Sequence, residues 1–199
     1  MAQQRGRPRG FDRDAALRQA MALFWERGYE ATSISDLTAA MGIRPASLYA
    51  AFGDKKTLFK EVVAFYGQQP QGTFGAAALR EEPTARQAFE RLLRDTAAHC
   101  ADTTHPPGCL VISAATNVTA EDDEIATFLR DRRTANKTAF RDRLQAAQAT
   151  GELPPTADPN TLASYFAAVV QGMSQQARDG ADKAELTQIA AQAMTTWPE

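Results

Sequence analysis

Residues 33–60 read SISDLTAAMGIRPASLYAAFGDKKTLFK. Ser33 and Asp36 form the S-x-x-D capping box that opens a helix. Ile34, Leu37, Ala40 and Met41 supply its inner face, and Gly42 stops it. Pro45 sits where a first-turn proline is tolerated, so a second short helix is expected over about 45–51, broken by Gly53. Asp54 then caps a further helix whose stripe is Leu58, Phe59, Val62, Val63 and Tyr66. A helix pair this short cannot stand alone, so flanking helices must hold it.

Leu37, Met41, Ile43, Leu48 and Phe52 can face inward together. That leaves Arg44, Pro45, Ala46, Ser47, Tyr49 and Ala50 facing out, a row of small, hydroxylated and basic groups suited to a nucleic-acid groove. Arg44 can pair bidentately with guanine and Ser47 with either base-pair type. Ala46 and Ala50 let the backbone approach, and Tyr49 offers a hydroxyl to a phosphate. Lys55 and Lys56 oppose the dipole of the helix they open, a cost that a bound phosphate reverses; two solvated lysines are the plainer alternative.

Thr32-Ser33-Ile34, Met41-Gly42-Ile43, Leu48-Tyr49-x-x-Phe52 and Lys55-x-x-Leu58 together resemble the DNA-binding domain of TetR-type (tetracycline-repressor-like) transcriptional regulators, over about residues 12–66. The resemblance implies an all-helical homodimer, usually a repressor, with an N-terminal three-helix DNA-binding domain and a C-terminal domain for effector binding and dimerisation. It implies phosphate-contacting positions at Thr32, Tyr49 and Lys55, and base-facing positions at Arg44, Pro45, Ala46 and Ser47. Family members often carry Ser at the position of Arg44 and Gly at that of Ala46, so no operator sequence carries over.

The rest of the chain reads as helix. Asp12 caps a helix over about 13–27 with Leu17, Ala20, Met21 and Phe24 as its stripe, and Gly28 ends it. Residues 67–83 are rich in Gly, Gln and Pro and read as a linker with at most a loose helical extension. Helices are then expected over about 84–102, 109–117 and 121–149, with two more starting near Pro159 and Lys183, about nine in all. The domains expected are a basic arm over 1–11, a DNA-binding domain over 12–66 and an effector and dimerisation domain over 84–199. No strand-like alternation stands out.

The net charge of −2 conceals an asymmetry. Residues 1–60 hold ten Lys/Arg against six Asp/Glu, whereas 61–199 hold twelve against eighteen. Phosphates respond to the local basic end, not to the total. Arg5 and Arg7 flank Gly6 in an arm with the Gly-Arg-Pro core of an AT-hook, which suits a narrow minor groove; a solubilising tail is the alternative. No apolar run approaches a membrane span, and no apolar segment follows the basic N-terminus as a secretory signal requires. Two cysteines make no disulfide scaffold, so a reducing cytoplasm is the expected setting.

His99, Cys100, His105 and Cys109 crowd one helix break, and three readings stay open. Cys109 is a small buried hydrophobe, a sensor thiol at a helix start, or part of a soft-metal set whose spacing fits no standard zinc pattern. An effector pocket is expected among the helices starting near 84, 109, 121 and 159, with Phe89, Leu93, Phe128, Asn136 and Phe140 as candidate lining, though each also fits plain core. Leu162, Phe166, Val169, Val170, Met173, Ile189 and Trp197 form stripes that either finish the monomer core or pair across a two-fold axis. No paired acid and base, nucleotide loop or cofactor motif argues for an enzyme. The partners expected are double-stranded DNA, a second copy of the chain and a small-molecule or oxidant effector; an architectural DNA-binding protein is the other alternative.

Overall fold

The computed structural model describes residues 12–199. Within them the fold is all helical: α1 (Arg13–Arg27), α2 (Ile34–Met41), α3 (Pro45–Phe52), α4 (Lys55–Tyr66), α5 (Pro70–Glu81), α6 (Ala85–Cys100), α7 (Leu110–Ser113), α8 (Asp123–Ala149), α9 (Pro159–Arg178) and α10 (Lys183–Met194). The expected arm at 1–11, with Arg5 and Arg7, lies outside the described residues.

Local chemistry sets most of these boundaries. Asp12 accepts from the N–H groups of Asp14 and Ala15, each at 3.0 Å, and starts α1. Ser33 and Asp36 complete the capping box of α2, and Gly42 closes that helix in the left-handed region at φ 66°. Asp54 caps α4 through the Thr57 N–H at 2.7 Å. Thr84, Asp158 and Asp182 do the same for α6, α9 and α10.

Two cores form, and they do not follow the chain's division. The first joins Phe24, Tyr29, Leu37, Leu48, Phe52, Leu58 and Phe59 of the helix-turn-helix end to Leu110 and Ala114, and to Ile125 and Leu129 of α8. Phe24 and Phe59 meet edge to face at 5.0 Å. The second core gathers α6, α8, α9 and α10 around Phe89, Phe140, Phe166 and Trp197. Arg178 near the end of α9 donates to the Trp25 and Glu26 carbonyls at 3.1 and 3.2 Å, satisfying the C-terminal end of α1.

Residues 67–83 contain α5, a tenth helix, where the sequence suggested mainly linker. Its glycines serve close packing: a β-carbon on Gly72 would lie 2.2 Å from the Tyr66 carbonyl oxygen. The expected helix over 109–117 is only the four-residue α7, and α8 is preceded by a 3₁₀ turn at Ala120–Asp122. Phe166, Met173 and Trp197 are buried within one chain's core, so they are not available to face a second copy. Leu162, Val169, Val170 and Ile189 remain half-buried at its margin.

Gly72→Ala forces α4 and α5 apart and is expected to destabilise the fold by about 1–3 kcal/mol. Urea unfolding of wild type and variant measures this, and equal midpoints would show that α5 yields without cost.

Candidate nucleic-acid interface and effector cavity

The α2–α3 turn divides its residues as amphipathic spacing requires. Leu37 and Leu48 are fully buried, while Arg44, Pro45, Ala46, Tyr49 and Ala50 are exposed and Ser47 is half-exposed. Tyr49, 50% exposed, is the large hydrophobic left in solvent among the described residues. Its phenol ring stands in water on a face of small residues, Ala46 and Ala50 among them. Arg44 is the N-cap of α3 with extended backbone and makes no side-chain cap bond, so its guanidinium projects from the start of the exposed helix.

Lys55 lies half-buried, its ammonium 4.2 Å from the Tyr29 ring centroid. Burial pulls its pKa below the ordinary lysine value, while Glu30 and Asp122 act against that shift. Lys56 points elsewhere. It pairs with Asp122 at 3.0 Å and donates to the Glu121 carbonyl at 2.7 Å, and the bond to Asp122 holds its pKa up. Lys60 pairs with Glu124. Two of the three α4 lysines therefore tie this helix to the acidic start of α8, and Lys55 packs instead on Tyr29 in the turn between α1 and α2.

Thr32 is fully buried. Its hydroxyl donates to the Gly28 carbonyl at 2.7 Å and its N–H to the Tyr29 carbonyl at 3.3 Å. Both polar hydrogens are committed, so Thr32 shapes the turn before α2 and presents no hydroxyl to a phosphate.

At the other end of α4, Tyr66 reaches a mainly apolar cavity of about 160 Å³. Cys109, Asn136 and Phe140 line it, as do Cys100, Thr96 and Val170. Phe89 and Leu93 do not: both are fully buried core, Phe89 packed 4.6 Å from Phe166. Phe128 faces the Lys60 and Arg132 cations, at 6.0 and 5.2 Å, away from the cavity. Gln71, Phe74 and Leu79 of α5 complete one wall, and the sequence concealed them because their segment reads as linker.

A compact aromatic and polar set bridges α1, α4 and α6. The His105 ring stacks on Trp25 at 4.4 Å, and the His99 ring lies 4.5 Å from that of His105. The Tyr66 hydroxyl is 3.3 Å from His99 Nε2 and 3.5 Å from Cys109 Sγ. Among the described residues no group of three or more His, Cys, Asp or Glu is placed to hold a metal ion. Burial, and then the neighbouring His105, depress the His99 pKa to about 4. Burial, and then the charge of Cys109, push the Cys100 thiol up to about 12. Cys109 is half-buried where Cys100 is buried, and it forms the N-cap of α7.

A helix-turn-helix with an exposed tyrosine and free arginine, standing over a cavity-bearing helical domain, defines a regulator of transcription. Residues 16–62 match the model for bacterial regulatory proteins of the tetR family. Residues 85–194 match that for the tetracyclin repressor-like C-terminal domain. The HTH-type transcriptional repressor ComR of Escherichia coli (strain K12) is 38% identical over 98% of this chain and 93% of its own length. BdcR, an HTH-type transcriptional repressor of the same organism, is 28% identical over 94% and 90%. A cysteine mutant of the TetR family transcriptional regulator CifR, solved with 26-bp double-strand operator DNA, superposes with a TM-score of 0.93. It is 41% identical and covers 97% of this chain and 100% of its own. The chain belongs to the TetR family of transcriptional regulators, and its relatives are regulators, not enzymes.

The depressed His99 pKa has a signed consequence. Between pH 6.5 and about 4 the unfolded chain takes up a proton that folded His99 refuses, so stability falls as pH drops through that window. Urea unfolding at pH 7 and pH 5 should show the loss, and His99→Gln should reduce it. An unchanged pH dependence in the variant would remove His99 as its source.

Proposed function

We propose that this chain is a homodimeric repressor in the cytoplasm. It holds a palindromic operator through two helix-turn-helix faces and releases it when a small effector fills the cavity or when Cys109 is oxidised. The observation that carries this reading is the outward face of α3: exposed Tyr49 with exposed Arg44 at the helix start. Arg44, Pro45, Ala46 and Ser47 face the bases, while Tyr49 and Lys55 hold phosphates. Supporting it are the CifR mutant solved with operator DNA and the two curated repressors that match nearly the whole chain.

A palindrome requires two-fold symmetry, and α9 and α10 supply the contact through Leu162, Val169, Ile189 and the exposed positions beside them. The effector acts by differential affinity. It favours a conformation whose two α3 helices are wrongly spaced for successive major grooves. Tyr66 offers the route, since α4 carries it at the cavity and Lys55 at the opposite end. The cavity site of Cys109 and its contact with the Tyr66 hydroxyl support the oxidation route through the same helix.

Genome-wide capture of DNA fragments by the purified protein supplies the operator. On it, Arg44→Ala is expected to cost about 1–3 kcal/mol and to relax preference at one base pair. Lys55→Ala should weaken binding to all duplexes alike and reduce the salt slope by about one. Equal losses on every sequence for both variants would take Arg44 out of base reading. For the oxidation route, Cys109→Ser should retain near-wild-type DNA affinity yet no longer release DNA on peroxide treatment. A variant that still releases normally removes that route.

A further inference from the structure

Arg130, Arg133 and Lys137 of α8 converge with Thr134 and Gln171 around a depression of about 180 Å³. Arg130 donates to the Thr127 hydroxyl at 3.0 Å, and Arg133 to the Val111 carbonyl at 2.9 Å. Among the described residues, no ion pair includes any of these three cations, although twelve ion pairs form elsewhere. Burial, and then the charge of Arg130, pull the Arg133 pKa below the usual guanidinium value. Like charges brought together without a carboxylate repel, and a bound anion relieves that repulsion.

The depression and the cavity are linked through Arg133 and through neighbouring positions on α8 and α9. Val111, whose carbonyl Arg133 holds, lines the cavity, and so do Asn136 and Phe140 from the same stretch of α8. Val170 lines the cavity while its neighbour Gln171 lines the depression. Asn136 and Ala139 of the cavity wall are themselves partly in solvent, one residue before and two after Lys137 in the chain. No Asp, Glu, Lys or Arg is among the residues lining the cavity, so the cavity itself recognises an apolar body and not a charge.

We propose that the effector is an amphipathic carboxylate, its hydrocarbon part in the cavity and its acid group on Arg130, Arg133 and Lys137. The inference rests on the cavity being the effector site. Arg133 is anchored to Val111, which fixes one fork of its guanidinium and leaves other N–H donors for the anion. Arg130 and Lys137 are exposed and add charge without a structural task in the core.

Calorimetric titration of the full-length protein, without DNA, with hexanoate and with hexan-1-ol tests this apart from operator binding. Hexanoate should bind at least about tenfold more tightly than the alcohol, the scale of one charge-assisted contact. The double variant Arg130→Gln/Lys137→Gln, which keeps Arg133, should lose most of that preference while its affinity for hexanol stays near wild type. Equal affinity for acid and alcohol, or an unchanged preference in the double variant, would overturn the proposal. So would a double variant that only alters dimer dissociation, because a second copy's carboxylates would then be the partners of these cations. Binding of neither compound would overturn the cavity assignment and this proposal with it, leaving the DNA-binding reading to stand on its own test.

Discussion

Leu110, Ile125 and Leu129 come from the C-terminal part of the chain, yet they are buried among the side chains of α1–α4. The helix-turn-helix end has no complete core without them. Interiors pack at crystal-like density and do not deform continuously, so α7 and the start of α8 cannot shift without disturbing the helices they cover. The acidic start of α8 adds polar ties: Lys56 with Asp122, Lys60 with Glu124, and the Tyr29 hydroxyl donating to Asp122 at 3.4 Å. This shared core makes it physically possible for an event in one part of the chain to be felt at the other.

Helix α4 is the member of that core with a role at both ends. Its twelve residues span about 18 Å. Lys55 stands on Tyr29 at the start, and Tyr66 ends it between His99, Cys109 and the cavity. The interior of α4 is locked by Leu58, Phe59, Val62 and Val63, all buried. A rod gripped along its length transmits a displacement of one end better than it absorbs it. The Lys56 and Lys60 pairs tie the rod to the start of α8, so those two lysines have structural partners in the fold.

The helix-turn-helix was legible because its signals are local. The Ser33–Asp36 box, the left-handed Gly42 and the first-turn Pro45 depend on few neighbours, and helical periodicity sorted Leu48 and Phe52 from Tyr49 and Ala50. Tertiary facts were not legible. Gly72 reads as a helix breaker until the Tyr66 carbonyl is seen 2.2 Å from where its β-carbon would go, and missing α5 concealed Gln71, Phe74 and Leu79. Periodicity shows that Phe89, Leu93, Phe166 and Trp197 point inward, but not whether they meet a cavity, a second chain or one another; they meet one another. Thr32 matched a family position, yet its hydroxyl was taken by Gly28, a bond no spacing rule reveals. Nothing in the spacing of Arg130, Arg133 and Lys137 along a long helix shows that they line one depression with Gln171 of α9.

The direct measure of the shared core is amide hydrogen exchange across the full-length protein, with opening free energies read for α4, α7 and the first turns of α8. If these segments belong to one packed unit, they open together, with the same free energy and the same denaturant dependence. Opening of α1–α4 as a separate unit at markedly lower free energy, while α7 and α8 stay protected, would contradict the account.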